Sequence, residues 1–302
     1  MSKGISIAAL NEDFLPIDSR RPDIFGSPLA FSTVGVVERP LTLFERMYAR
    51  PAIRKSAILL MLALIWELYG YFLDNPLLFP RFSETVVALI HSVADGTLPA
   101  RVLVSLRVLL IGYAIGIFLA ALLTVFAILT KIGQDLLETL TAMFNPLPAI
   151  ALLPLALIWF GLGEGSIVFV LVHSVMWAVA LNTLSGFSGV SNTLRMVGRN
   201  YGLGVFRYVG DILIPAALPS ILTGLKIGWA FAWRTLIAAE LVFGVSSGSG
   251  GLGWYIFENK NDLEIPKVFA GLLTVIIIGL FVEGVIFRTL EARTVRRWNM
   301  QN

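Results

Sequence analysis

The chain has 302 residues, 57% of them hydrophobic and only 14% charged. A soluble domain carries about a quarter charged residues, and apolar side chains this dense exclude a disordered chain, so the composition is that of an integral membrane protein. A net charge of +3, zero cysteines and two histidines, His91 and His173, leave no nucleic-acid footprint, disulfide framework or thiolate or histidine metal cluster.

Residues 1–40 are interrupted by Pro16, Pro22, Gly26, Pro28 and Pro40, which predicts a poorly ordered tail with no signal-peptide core. In Leu41–Arg50 the side chains of Leu41, Phe44, Met47 and Tyr48 share one face, which predicts a short amphipathic helix. Arg46, Arg50, Arg54 and Lys55 beside it suit a cytoplasmic leaflet surface. Six apolar stretches follow: Ala57–Leu73, Val108–Thr130, Pro146–Leu162, Ile167–Leu184, Ala217–Phe243 and Val268–Phe287. Each is near the ~20 residues needed to cross a bilayer core. With no water to satisfy backbone groups there, these segments are expected to be helices. The alternating pattern of a membrane barrel is missing. The expected fold class is therefore an all-α integral membrane protein with six transmembrane helices. Glu67 in the first stretch, and Pro148 and Pro154 in the third, depart from a plain apolar span.

Basic residues near the span ends set the orientation. With the N-terminus in the cytoplasm, the inner flanks hold Arg39, Arg46, Arg50, Arg54, Lys55, Lys131, Arg195, Arg199, Arg207, Arg288, Arg293, Arg296 and Arg297. The outer flanks hold only Arg81, Arg101, Lys260 and Lys267. Both termini are thus expected inside. The outer loops are Asp74–Pro99, with an amphipathic stretch near Ser83–Val93, and Gly244–Lys267; residues 185–216 form an inner loop.

That inner loop reads Met196-Val197-Gly198-Arg199-Asn200-Tyr201-Gly202, nine residues, then Ile212-Leu213-Ile214-Pro215. It resembles the cytoplasmic loop of ABC importer permeases, E-A-A, three residues, G, nine residues, I-x-L-P. Gly202, the spacing, Ile212 and Pro215 match, while the E-A-A triplet is Met-Val-Gly and Ile214 replaces leucine. Pro146-Leu147-Pro148, Ile158 to Glu164, Leu181-Asn182-Thr183, Leu218 to Leu225 and Ala238-Ala239-Glu240 are similar to the nitrate/sulfonate/taurine-type branch. The resemblance covers roughly Leu98 to Trp298.

It implies a cytoplasmic tail at 1–55 and a permease domain at 56–298, with a coupling loop at about 191–215. It further implies a homodimer with a second permease copy, two nucleotide-binding ATPase subunits that hold ATP and Mg, and an external solute-binding protein. By the same resemblance Arg195, Met196, Val197, Gly198, Arg199, Gly202, Ile212 and Pro215 couple this chain to the ATPase. The substrate class implied is a small anion such as a sulfonate, taurine, nitrate or bicarbonate. Physically, Gly202 suits a backbone turn that a Cβ would resist. Pro215 and Pro219 remove backbone donors where the chain re-enters the membrane, which predicts a break before the fifth span.

Gly248-Ser249-Gly250-Gly251-Leu252-Gly253 spells a dinucleotide fingerprint, but it lacks the strand–turn–helix context. It reads instead as a flexible outer loop. No P-loop sequence is present, so ATP hydrolysis belongs to a partner and the chain is not expected to be an enzyme. Charges inside spans usually face a cavity or a partner. Arg234, midway along the fifth span with Ala230 and Ala238 above and below it, suits a fork onto an oxyanion or a contact with another helix's carboxylate or carbonyls. Trp229, Trp233 and Glu240 share another stripe of that helix and are candidates for the translocation path. His173 is a packed core histidine or a path residue. Arg107 and Lys226 are expected to snorkel. Gly112, Gly116 and Ala120 form a small ridge suited to close helix approach. An ion-gradient-driven transporter using Glu67, Glu240 or His173, or a membrane-embedded enzyme, are the alternatives; the first lacks evident repeated halves and the second a convergent catalytic set.

Overall fold

The computed structural model describes residues 48–243 and 250–294, without the side chains of Arg199, Phe206 and Phe243. The expected tail at 1–40, most of the Leu41–Arg50 helix, and Gly248 and Ser249 of the glycine-rich run lie outside the described residues. By packing, the chain divides into Met1–Ala57 and Ile58–Asn302. In the described part of the first unit, Arg54 donates to the Tyr48 carbonyl at 2.6 Å.

Helix α1, Pro51–Leu73, is apolar nearly throughout, and only Gly70 is buried. Its far end is pinned by aromatics: Trp66 packs on Phe79, Phe82 and Phe269 and donates to the Pro80 carbonyl at 3.0 Å. Glu67, an odd residue for a lipid-facing helix, has a local use. Its carboxylate accepts from the Ser83 amide and hydroxyl, both at 2.9 Å, so it caps the first turn of α2, Phe82–Ala94. Gly96, at φ +79°, turns the chain into α3, Thr97–Leu129. At 33 residues this helix is about 50 Å long, considerably more than the apolar stretch alone.

Thr130 is extended, and its hydroxyl accepts from the Gly133 amide at 2.9 Å, which stops α3 and starts α4, Lys131–Phe144. A 3-10 turn, Ala149–Leu152, leads into α5, Leu153–Phe160. The expected span Pro146–Leu162 is therefore not one helix. The crossing is a pair of arms, Lys131–Phe144 and Ala149–Phe160, bent by 89°. Asn145 is still helical, but Pro146 and Pro148 withhold backbone donors and Pro148 is extended, at φ −59° and ψ 119°, which places the bend between the arms.

Helix α6, Glu164–Ser188, is the axis of the bundle: half of its apolar stretch is buried, more than in any of the other long single helices. It meets α3 along the glycine ridge, where a Cβ on Gly112 would stand 2.6 Å from Leu171 and one on Gly116 2.7 Å from Val175. Backbones approach closely because these side chains are missing. Since 112 faces 171 and 116 faces 175, α3 and α6 run parallel, and the bent pair between them must carry the chain back across the bundle. Glu164 accordingly sits 4.0 Å from Arg107, ten residues into α3, where Arg107 has an ionic partner rather than only a snorkelling position.

After α6 come α7, Asn192–Asn200, and α8, Val205–Tyr208. The expected break at Pro215 and Pro219 is absent: a π turn, Val209–Leu213, runs on into α9, Ile214–Phe243, with Pro219 inside the helix. The carbonyl that the Pro215 ring would crowd belongs to Asp211, within that widened turn, so the helix passes the proline unbroken. Helix α9 packs antiparallel on α6, with Gly186 against Ser220, Gly224 against Asn182 and Gly228 against Val179. Helix α10, Leu252–Asn261, and α11, Ile265–Phe281, follow, and a second π turn, Val282–Phe287, leads to α12, Arg288–Arg293. Lys226 of α9 does not merely snorkel; it pairs with Glu283 at 2.9 Å. Among the described residues, five single helices and the bent pair, taken as one crossing, thus make an all-α membrane bundle of six spans.

Candidate functional site

The bend between α4 and α5 opens a cavity of about 370 Å³ against α6 and α9. Its walls include Phe144 to Ile150, His173, Ser174, Trp177, Phe231, Arg234, Thr235 and Ala238. Arg234 is exposed, its Nε donating to the Ala230 carbonyl at 3.0 Å and its guanidinium 5.4 Å from the Phe231 ring centre. Among the described residues it pairs with no carboxylate. Of the two readings of this residue, the carbonyl contact is made within its own helix and uses one N–H; among the described residues the nitrogens at the end of the fork bond to nothing.

Across from it, α6 presents His173, Ser174 and Trp177, spaced to share one face. Phe144 stacks on Trp177 (5.4 Å, 11°) and meets His173 edge-on at 6.0 Å. Both His173 ring nitrogens, Ser174 Oγ and Trp177 Nε1 are buried without a hydrogen-bond partner. An unsatisfied buried polar group costs about 1–3 kcal/mol, and such groups gathered at one cavity call for a functional account. Sequence reasoning singled out His173 and Arg234 but missed Ser174 and Trp177; their positions one and four residues after His173 were the available signal.

The other path candidates lie elsewhere. Trp229 meets Tyr113 edge-on at 5.5 Å, and Trp233 is buried facing α11, near Gly279. Glu240 is buried at the α10 end of the bundle. The Ser105 hydroxyl, 2.8 Å from both its carboxyl oxygens, donates to it, as does the Gly253 amide at 2.8 Å. Leu252 N donates in turn to Ser105 Oγ at 2.7 Å. A Cβ on Gly251 would collide with Glu240 and Ser105, and one on Gly253 would stand 2.6 Å from Glu240. These glycines therefore admit a carboxyl group into the loop. Arg101 adds a bond to the Gly250 carbonyl and an ion pair to Glu258, each at 3.0 Å. Ser92 Oγ and the Tyr255 hydroxyl lie 2.8 Å apart, and burial pushes the Tyr255 phenol up, so it remains a hydroxyl.

At the opposite end, α7 closes in a left-handed turn. Gly202 has φ +61°, and the Leu203 amide reaches back to the Gly198 carbonyl at 3.2 Å, a Schellman ending. Gly198 is buried: its Cβ would stand 2.6 Å from the Tyr208 ring and 2.9 Å from Ile212. Two residues of the loop motif, Gly198 and Ile212, are therefore packed on each other. Met196, Val197 and Tyr201 are exposed, Tyr201 at 78%. Arg195 folds back from α7: Nη2 donates to the Phe187 carbonyl at 2.6 Å and Nε to that of Val190 at 3.1 Å. Pro215 lies in the first turn of α9. Among the described residues no cluster of His, Cys, Asp and Glu could hold a metal.

Comparison with known proteins agrees with this layout. Residues 112–296 match the family described as binding-protein-dependent transport system inner membrane component. The chain is 28% identical over 242 residues to a protein of Methanocaldococcus jannaschii named as an ABC transporter permease, covering 79% of this chain and 90% of that one. It is 28% identical over 268 residues to a nitrate import permease protein of Synechocystis sp. (84% and 94% covered). It is 26% identical over 233 residues to a taurine transport system permease protein of Escherichia coli (76% and 83%).

Proposed function

Because the chain belongs to the family of binding-protein-dependent transport system inner membrane components, we propose that it is the permease subunit of an ATP-driven importer that moves a small anion into the cytoplasm. In this reading it forms a homodimer, docks two nucleotide-binding ATPase subunits that hold ATP and Mg, and receives solute from an external binding protein. Both termini and the α7 loop lie on the cytoplasmic side, as the distribution of basic residues suggests. The anion class follows the names of the nitrate and taurine relatives and suits a cavity whose walls carry Arg234 and no acidic residue. The chain performs no bond chemistry; it supplies a path and a gate.

The observation that carries this function is α7 itself. A short helix, fixed by the Gly198 packing and the Gly202 turn, presents the exposed apolar side chains Met196, Val197 and Tyr201 on a loop between two spans. Such a face suits a groove on a soluble partner. In place of the family acid, Met196 supplies an apolar contact, so docking here relies on burial more than on an ion pair.

Gly202→Val is the test. A β-branched residue at φ +61° is strained by about 1–3 kcal/mol, which is small beside a typical total stability of roughly 5–15 kcal/mol. The variant should reach the membrane in normal amounts while ATPase co-purification or solute-stimulated ATP turnover falls sharply. Unchanged co-purification, turnover and uptake would remove the coupling role from this loop.

A further inference from the structure

The cavity at the bend of α4 and α5 joins one cation to a large apolar wall, and that combination narrows the substrate class. A water's share of liquid volume is about 30 Å³, and a bare four-atom oxyanion takes on the order of twice that. The cavity, at about 370 Å³, is several times larger and falls in the range of sites for organic ligands. We propose that it binds an organic monoanion, its oxyanion head on the Arg234 guanidinium and its flat apolar body against Phe144, Trp177 and Phe231. The proposal rests on the anion-permease reading above and states which anions fit.

The head is assigned by charge. Among the described residues Arg234 is the cavity's one ionic side chain, and no carboxylate among them neutralises it. Its Nε is committed to the Ala230 carbonyl, which fixes the plane of the fork and leaves the Nη1 and Nη2 hydrogens for two parallel bonds to a carboxylate or sulfonate. A lysine would supply the charge without that geometry.

The body is assigned by shape. Phe144 and Trp177 line the cavity as a stack, within 11° of parallel and 5.4 Å between ring centres, with Phe231 beside the guanidinium. A planar or alicyclic group fills such a slot, whereas a compact hydrated ion leaves it unused. Ser174 Oγ, Trp177 Nε1 and the His173 nitrogens are unpartnered at the same wall. A second polar atom on the ligand gains partners there once small side-chain movements expose them, so a monoanion with a further acceptor is favoured over a pure hydrocarbon sulfonate.

The experiment uses the full-length permease in lipid nanodiscs. Naphthalene-2-sulfonate is the probe, 2-naphthol its uncharged counterpart and nitrate the compact anion, with binding read by calorimetry and by quenching of tryptophan emission. Saturable sulfonate binding is expected, at least tenfold tighter than 2-naphthol and not displaced by an equal concentration of nitrate. Arg234→Gln should weaken it tenfold or more, and Arg234→Lys should restore part of the loss. Ala238→Phe, which fills the wall while keeping the charge, should also weaken it tenfold, so that the result does not hang on one variant's folding. Equal binding of 2-naphthol, displacement by nitrate, no saturable binding, or an affinity unmoved by Arg234→Gln and Ala238→Phe overturns the assignment. ATP-dependent uptake by the assembled transporter is scored apart. Coupled uptake without probe binding overturns the cavity alone; probe binding by a protein that never engages an ATPase overturns the importer reading and leaves the cavity standing.

Discussion

Arg195 stands just before Met196, where its charge is expected to face the ATPase, yet it turns inward and ties α7 to the Phe187 carbonyl in the last turn of α6 and to the Val190 carbonyl just beyond it. The Phe187 carbonyl also accepts from the Val190 amide at 3.3 Å, and a guanidinium is the side chain able to bond several carbonyls at once. The exposed apolar residues Met196 and Val197 are untouched by this bond, so Arg195 acts by positioning α7. In Arg195→Ala the ATPase should still co-purify and hydrolyse ATP, but solute moved per ATP should fall several-fold. Arg195→Lys should recover little of it, because one ammonium does not span carbonyls of different residues. An unaltered transport-to-hydrolysis ratio in Arg195→Ala would show the tie to be incidental. Nothing in the string of letters distinguishes an inward from an outward arginine here, whereas the left-handed turn at Gly202 is legible because only the residue without a Cβ takes it freely.

The ends of the elements were harder to read than their middles. Apolar stretches mark where a helix is wet by lipid, but α3 continues from its apolar part back to Thr97, because its first turns are covered by α2 and α10 rather than by lipid. Prolines mislead in both directions. Pro146 and Pro148 divide a crossing into two arms, while Pro215 is absorbed by a π turn; the difference lies in whether the surrounding turn can widen. The glycine-rich run after α9 reads as a slack loop, yet Gly251 and Gly253 close around Glu240, a contact between residues that sequence spacing does not bring together. That contact makes a definite prediction. Glu240→Ala deletes the acceptor for Ser105 and Gly253, and a buried donor left unsatisfied costs about 1–3 kcal/mol. Amide exchange across residues 250–261 should rise by roughly tenfold or more, since each tenfold corresponds to about 1.4 kcal/mol, while α7 exchanges as before. Exchange that is unchanged at 250–261, or raised equally at both ends, would mean that Glu240 does not fasten α10.

At the scale of the whole molecule, membrane class and helical content follow from composition alone, because no other fold satisfies backbone groups inside lipid without closing a barrel. The cavity did not follow, because it is made by a bend, three helices and rotamers that meet only after packing. The proposed orientation, with both termini in the cytoplasm, is tested by a reporter enzyme fused after Asn302: it should be active in the cytoplasm, and periplasmic activity would refute the orientation. The parallel pairing of α3 and α6 has one more consequence. Glycines relieve the contacts of α6 on both flanks: Gly112 and Gly116 on α3, Gly224 and Gly228 on α9. Smooth surfaces of this kind resist sliding less than interlocked ones, so α6 is built like a push-rod. Its middle holds His173, Ser174 and Trp177, and its last turn, roughly 15–20 Å away, is bolted to α7 through Arg195. A rod transmits in both directions. In the proposed importer, whatever displacement an ATPase on α7 imposes on the cavity, an occupant of the cavity must return with equal free energy, so solute inside the membrane should tighten or loosen the grip of that ATPase by the same factor that the ATPase changes the affinity for solute.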